Sequence, residues 1–134
     1  MTIIAAIDPE SILNAAGILK EGRLVALPTE TVYGLGADAT NATAVAAIYT
    51  AKGRPSFNPL IAHVSDLSQA TKEAHFSEIA LKLAEKFWPG PLTIVAPVSS
   101  KCSVCDLARA GLDSVALRIP ADLTAQKLIS TLGR

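Results

Sequence analysis

Lys52, Arg54, Ser56 and Asn58 fall within seven residues, beside Pro55 and Pro59, in a span free of Asp and Glu from Thr40 to Ser65. Two cations on a short proline-stiffened loop can grip a polyphosphate, the arginine as a bidentate fork and the lysine as a point charge. The same cations could simply offset the negative C-terminal end of a preceding helix. Asn58-Pro59 would be an odd choice for a plain helix stop. His63 stands in the strand-like run Leu60-Ile61-Ala62-His63-Val64. Strict alternation puts it on the face of Ile61, with Leu60, Ala62 and Val64 opposite. Arg118 interrupts the apolar run Val115-Ala116-Leu117-Arg118-Ile119. A charge there needs a partner, either a nearby acid or an anionic group of a ligand, and its position suggests the ligand.

A further polar cluster runs from Pro28 to Gly36, with Thr29, Glu30, Thr31 and Tyr33 in it. Gly34-Leu35-Gly36-Ala37-Asp38-Ala39 satisfies G-x-G-x-x-A, but its context excludes a dinucleotide fingerprint. Five residues separate Gly34 from Pro28, and no acid follows at the required distance. No Walker sequence occurs. Cys102 and Cys105 form a lone C-x-x-C. A structural zinc wants four ligands, and His63 and His75 lie far off without ligand spacing, so an incidental loop pair and no metal site are expected.

The elements that must position these residues alternate. A short strand is expected over Thr2–Ile7, then a helix capped by Asp8 with Pro9 in its first turn and Gly22 at its end. A buried strand follows from Arg23 to Pro28, and Asn41 or Thr40 caps a helix ending at Lys52-Gly53. Leu60–Val64 is a strand, Ser77 caps a helix to Phe87, and Trp88-Pro89-Gly90-Pro91 stops it. Strands over Leu92–Ala96 and Val115–Ile119 and a helix after Asp122 complete the chain. This order predicts one α/β domain over residues 1–134, with helices covering a twisted sheet.

Composition narrows the function classes. The chain has 134 residues, is 50% apolar, and balances 12 basic against 12 acidic residues. No global field draws it to nucleic acid. No run approaches the roughly 18 apolar residues of a membrane span, and the start Met1-Thr2-Ile3-Ile4 has no basic region ahead of an apolar one. A cytoplasmic protein without membrane contact is the expectation.

Four ordered blocks resemble the YrdC-type threonylcarbamoyl-AMP synthases. They are Leu27–Gly36, then Lys52-Gly53-Arg54-Pro55 with Asn58-Pro59-Leu60 and His63, then Phe87–Thr93, then Val115–Pro120. The likeness runs from about Ile12 to Leu132 and implies a YrdC-like twisted sheet with flanking helices and a concave basic groove. It implies a nucleotidyltransferase that joins L-threonine, bicarbonate or CO2, and ATP into threonylcarbamoyl-adenylate and pyrophosphate for tRNA modification, with Mg2+ on the phosphates. By resemblance Thr31, His63 and Arg118 line the threonine site, with Thr29 and Tyr33 as further groove residues. Lys52, Arg54, Asn58 and Ser114 hold ATP, and Lys52 and Arg54 neutralise charge building on the departing pyrophosphate. tRNA or tRNA-modifying proteins would be its partners. The family pattern continues with a strand and a Ser-Ala-Asn segment not found here, so the resemblance implies a domain lacking its C-terminal part, with weak ATP binding and little turnover. An RNA-binding module, an inactive YrdC-like domain and a carbamoyltransferase-related domain are the alternatives. Net charge zero weighs against the first.

Overall fold

The computed structural model describes residues 5–134. Ten elements follow in order: α1 (Pro9–Lys20), β1 (Val25–Leu27), β2 (Gly34–Gly36), α2 (Ala42–Lys52), β3 (Ile61–His63), α3 (Leu67–Glu73), α4 (Glu78–Phe87), β4 (Ile94–Pro97), β5 (Ser114–Arg118) and α5 (Leu123–Leu132). The caps read from the sequence are in place. Asp8 Oδ1 accepts the Ser11 N–H at 2.8 Å, Asn41 Oδ1 those of Thr43 and Ala44, and Asp122 Oδ1 that of Ala125. Gly53 closes α2 in the left-handed region, φ 57°, where a side chain would be strained.

The α/β class holds, but the strands divide between two sheets. β1 and β2 form an antiparallel ribbon, while β3, β5 and β4 form a second sheet with β5 in the centre. β5 runs parallel to β3 and antiparallel to β4. Val115 and Leu117 point from β5 into the main core with Ala62 and Val64, where Val45 and Tyr49 of α2 and Ala70 of α3 cover them. Ala16 and Leu19 of α1 meet Leu128 of α5 over Val25 and Leu27 in a second, smaller core.

Several expectations need correction. The strand over Thr2–Ile7 falls partly outside the described residues, and Ala5–Ile7 are exposed and irregular, leading straight into the Asp8 cap. The strand at Arg23–Pro28 is shorter and only half-buried, because a two-stranded ribbon has one covered face. β2 occupies the end of the polar cluster from Pro28 to Gly36, where no strand was expected. Its Gly36 lies so close to β1 that an added Cβ would stand 2.7 Å from Leu27 Cδ2, so this glycine serves strand packing. α3 went unforeseen, although Asp66 caps it by accepting the Gln69 N–H at 2.8 Å.

The cysteine loop is less superficial than expected. Cys102 and Cys105 are half-buried against the main core, and burial pushes the Cys102 thiol up from its ordinary value, which makes it a poor nucleophile. Glu73, 6% exposed, organises this loop. Its Oε2 accepts the N–H groups of Ser103 (2.6 Å) and Val104 (3.2 Å), and its Oε1 accepts the Ser103 hydroxyl (2.7 Å). Glu73→Ala should strand these donors and destabilise the fold by about 2–3 kcal/mol, read as a lower denaturant midpoint. A midpoint unchanged from the parent would show that water replaces the carboxylate at no cost.

Candidate active site

The parallel register builds one end of the site. His63 of β3 pairs with Arg118 of β5, and Ile61 with Ala116. Alternation therefore sends Ile61, His63, Ser114, Ala116 and Arg118 to one face, away from the core side chains Ala62, Val115 and Leu117. Ile61 is 42% exposed on that face, and Val95 of β4, opposite Ala116, is exposed beside it. Ser114 and Arg118 are four residues apart on β5, which corresponds to ~13 Å along an extended strand.

His63 is held as a neutral acceptor. Its Nδ1 lies 3.3 Å from the Ile61 carbonyl oxygen, which can only accept, so Nδ1 carries the proton. Nε2 is buried without a partner among the described residues. Burial lowers the His63 pKa from 6.5, the neighbouring Arg118 charge adds to this, and the Ile61 carbonyl and Glu30 oppose it. The ring thus offers Nε2 to an incoming O–H or N–H donor.

Arg118 departs from the expectation in having a fixed acid beside it. Its Nη2 stands 2.7 Å from Glu30 Oε1, and its Nε donates to Gly90 O at 3.3 Å. Glu30 Oε2 accepts the Ala121 N–H at 3.0 Å. Burial alone would raise the Glu30 pKa. Backbone N–H groups, its own and that of Ala121, together with Arg118 outweigh this and hold it below the ordinary value. Sequence reasoning missed Glu30, although it is the one acid in the polar block between Pro28 and Gly36.

The other end is the loop after α2. Arg54 reaches forward along its own loop rather than back onto the helix, donating from Nε to Asn58 O (3.3 Å) and from Nη2 to Pro59 O (2.9 Å). The Tyr49 hydroxyl lies 2.9 Å from Asn58 O and 3.1 Å from Leu107 O, sharing its proton between them. Tyr49, also missed, anchors this loop, and its place one turn before Lys52 was the available signal. Lys52 is exposed in the last turn of α2.

Thr29 is engaged in its own turn. Its hydroxyl donates to Val32 O at 2.6 Å and stands 3.1 Å from the Thr31 hydroxyl. Thr31 and Tyr33 project exposed from that turn. Thr29, Lys52, Arg54 and His63 all line a cavity of about 400 Å3 between the β1–β2 ribbon and β3. Thr31, Tyr33, Asn58, Ser114 and Arg118 are not on that lining. The expected basic groove is thus mixed, with cations set among aliphatic walls that include Leu27, Leu35, Val45 and Val64.

A mixed sheet with capping helices and a cation-bearing loop at one strand end defines an α/β domain with a candidate site at the edge of its sheet. The family described as Sua5_yciO_yrdC, telomere recombination, matches residues 17–134, and the chain belongs to it. It is 50% identical over 139 residues to a threonylcarbamoyl-AMP synthase of Pyrococcus abyssi, covering 100% of this chain and 40% of the relative. It is 47% identical over 127 residues to one of Bacillus subtilis, covering 94% and 36%. The crystal structure of P. abyssi Sua5 complexed with L-threonine superposes with a TM-score of 0.92 at 48% identity, covering 99% of this chain and 40% of that one. The chain therefore spans about 40% of the length of these relatives.

The depressed His63 pKa has a signed consequence for stability. The unfolded chain takes up the proton near pH 6.5, while the folded chain resists it. The contribution is thus complete above about 6.5 and is lost as pH falls below it. Denaturant midpoints measured from about pH 7.5 to 5 should fall more steeply for the parent than for His63→Gln. Parallel slopes would mean that the ring titrates alike in both states.

Proposed function

We propose that this chain carries the threonylcarbamoyl-AMP-forming site of a threonylcarbamoyl-AMP synthase. The observation that carries the reading is the two-ended arrangement along β3 and β5. His63 and Arg118 lie side by side at one end, and the Arg54 loop and Ser114 lie at the other. Support comes from two relatives near 50% identity that bear this name and from a similar structure with L-threonine bound.

In this reading Arg118 receives the threonine carboxylate, and His63 Nε2 accepts a hydrogen bond from the amino acid. Thr31, with Tyr33 and the Thr29 turn, closes the near side. The threonine amine adds to CO2 derived from bicarbonate, losing a proton to give a carbamate. A carbamate oxygen then attacks the α-phosphorus of ATP, the bond to the bridging oxygen breaks, and pyrophosphate leaves. Lys52 and Arg54 offset the charge gathering on that pyrophosphate, while Asn58 and Ser114 orient the nucleotide. No covalent enzyme intermediate is required, because the substrate supplies both nucleophiles and the protein contributes positioning. Among the described residues no three His, Cys, Asp or Glu side chains gather as metal ligands, so Mg2+ would be held by the ATP phosphates. The product would serve tRNA modification through partner proteins in the cytoplasm. Among the described residues no helix is long and apolar enough to cross a membrane.

Calorimetric titration of ATP with and without L-threonine tests the reading. Threonine should tighten ATP binding, and Arg54→Ala should weaken ATP binding by about 1.5–3 kcal/mol while changing threonine binding less. ATP binding indifferent to both threonine and the substitution would sink the assignment.

A further inference from the structure

Glu30 joins three segments that are distant in sequence. Through Oε1 it meets Arg118 at the end of β5, and through Oε2 it takes the Ala121 N–H ahead of α5, while its own backbone belongs to the turn after β1. No hydrogen-bond donor is aligned on Oε1 among the described residues. The 2.7 Å contact of Oε1 with Arg118 Nη2 is a close ion pair that holds this edge of the guanidinium against the carboxylate. Apart from it, the Arg118 side chain donates only the 3.3 Å hydrogen bond to Gly90 O among the described residues. Take the carboxylate away and one long hydrogen bond is left to orient a guanidinium with five N–H donors.

We propose that Glu30 is a positioning residue for the amino-acid end of the site. It fixes the guanidinium of Arg118 beside His63 in the orientation that meets a substrate carboxylate, and it ties the Thr29–Thr31 turn to the same point. The inference rests on the functional reading above. Simple charge arithmetic predicts the opposite sign. An anion next to Arg118 repels a carboxylate, so removing it would tighten binding if orientation did not matter. Orientation matters here because a planar fork meets a carboxylate in one plane only.

Glu30→Gln separates the two effects, since it removes the charge while keeping the size and an oxygen for the Ala121 N–H. In calorimetry on the whole chain, L-threonine affinity should fall about tenfold. ATP affinity measured without threonine should change by less than about twofold, because Glu30 contacts Arg118 and the Ala121 N–H while Arg54 contacts the Asn58 and Pro59 carbonyls, with no shared partner. In NMR spectra without ligand, the Arg118 Nε–H signal should broaden or move while the backbone amide spectrum is retained. Unchanged or tighter threonine binding overturns the proposal, as does an equal loss for both ligands. Should the parent bind no threonine, the functional reading has failed, and the Nε–H signal still decides the role of Glu30: an unaltered signal in Glu30→Gln refutes it. If that variant does not fold, Glu30→Asp keeps the charge one methylene back. It should then weaken threonine binding by about threefold with ATP binding intact, and equal threonine affinity refutes the proposal.

Discussion

Arg118, 9% exposed, has left most of its water behind. An unpaired charge there would cost several kcal/mol, and removing its partner would be more damaging than replacing the pair with apolar groups. Glu30 meets the need, and the geometry around it follows. The turn after β1 must come within reach of β5, the Trp88–Leu92 turn must offer the Gly90 carbonyl, and Ala121 must begin the approach to α5 within reach of Oε2. The Trp88 indole braces that turn by donating to Leu92 O at 2.7 Å. A pair whose two members belong to different sheet systems also locks the β1–β2 ribbon to the larger sheet.

How far the sequence announced all this depends on the range of the interaction concerned. Helix caps are local, and Asp8, Asn41, Ser77 and Asp122 were readable because each accepts from an N–H two or three residues on. The face occupied by His63 was also readable, since alternation needs only the neighbours Ile61 and Ala62. The partner of Arg118 was not, because nothing near position 118 points back to position 30. β2 escaped for another reason. Gly-Leu-Gly has little strand propensity of its own, and it pairs because β1 demands a neighbour without a Cβ at Gly36. α3 is a seven-residue helix capped by Asp66, and its short length gave no periodicity to notice.

The residues nominated for phosphate are a mixed case. That Lys52 and Arg54 sit at a helix end was plain from Gly53. That Arg54 turns forward to the carbonyls of Asn58 and Pro59 was not, because backbone acceptors leave no trace in residue identity. Asn58 and Pro59 thus contribute through their main-chain carbonyls. Thr29 shows the reverse. Its hydroxyl, conspicuous in the polar block, is taken up by Val32 and Thr31 and shapes the turn from which Thr31 projects.

β3 and β5 are parallel, and everything between Val64 and Asp113 must be laid down before they can meet. The hydrogen bond from Ala121 to Glu30 spans 91 positions. Contacts of such sequence separation close large loops and pay their entropy late, so chains built on them fold slowly. His63 and Arg118 become neighbours through such a long-range closure. Winding α1, α2 and α4 alone does not bring His63 beside Arg118, and whatever depends on both side chains together waits for the β3–β5 pairing.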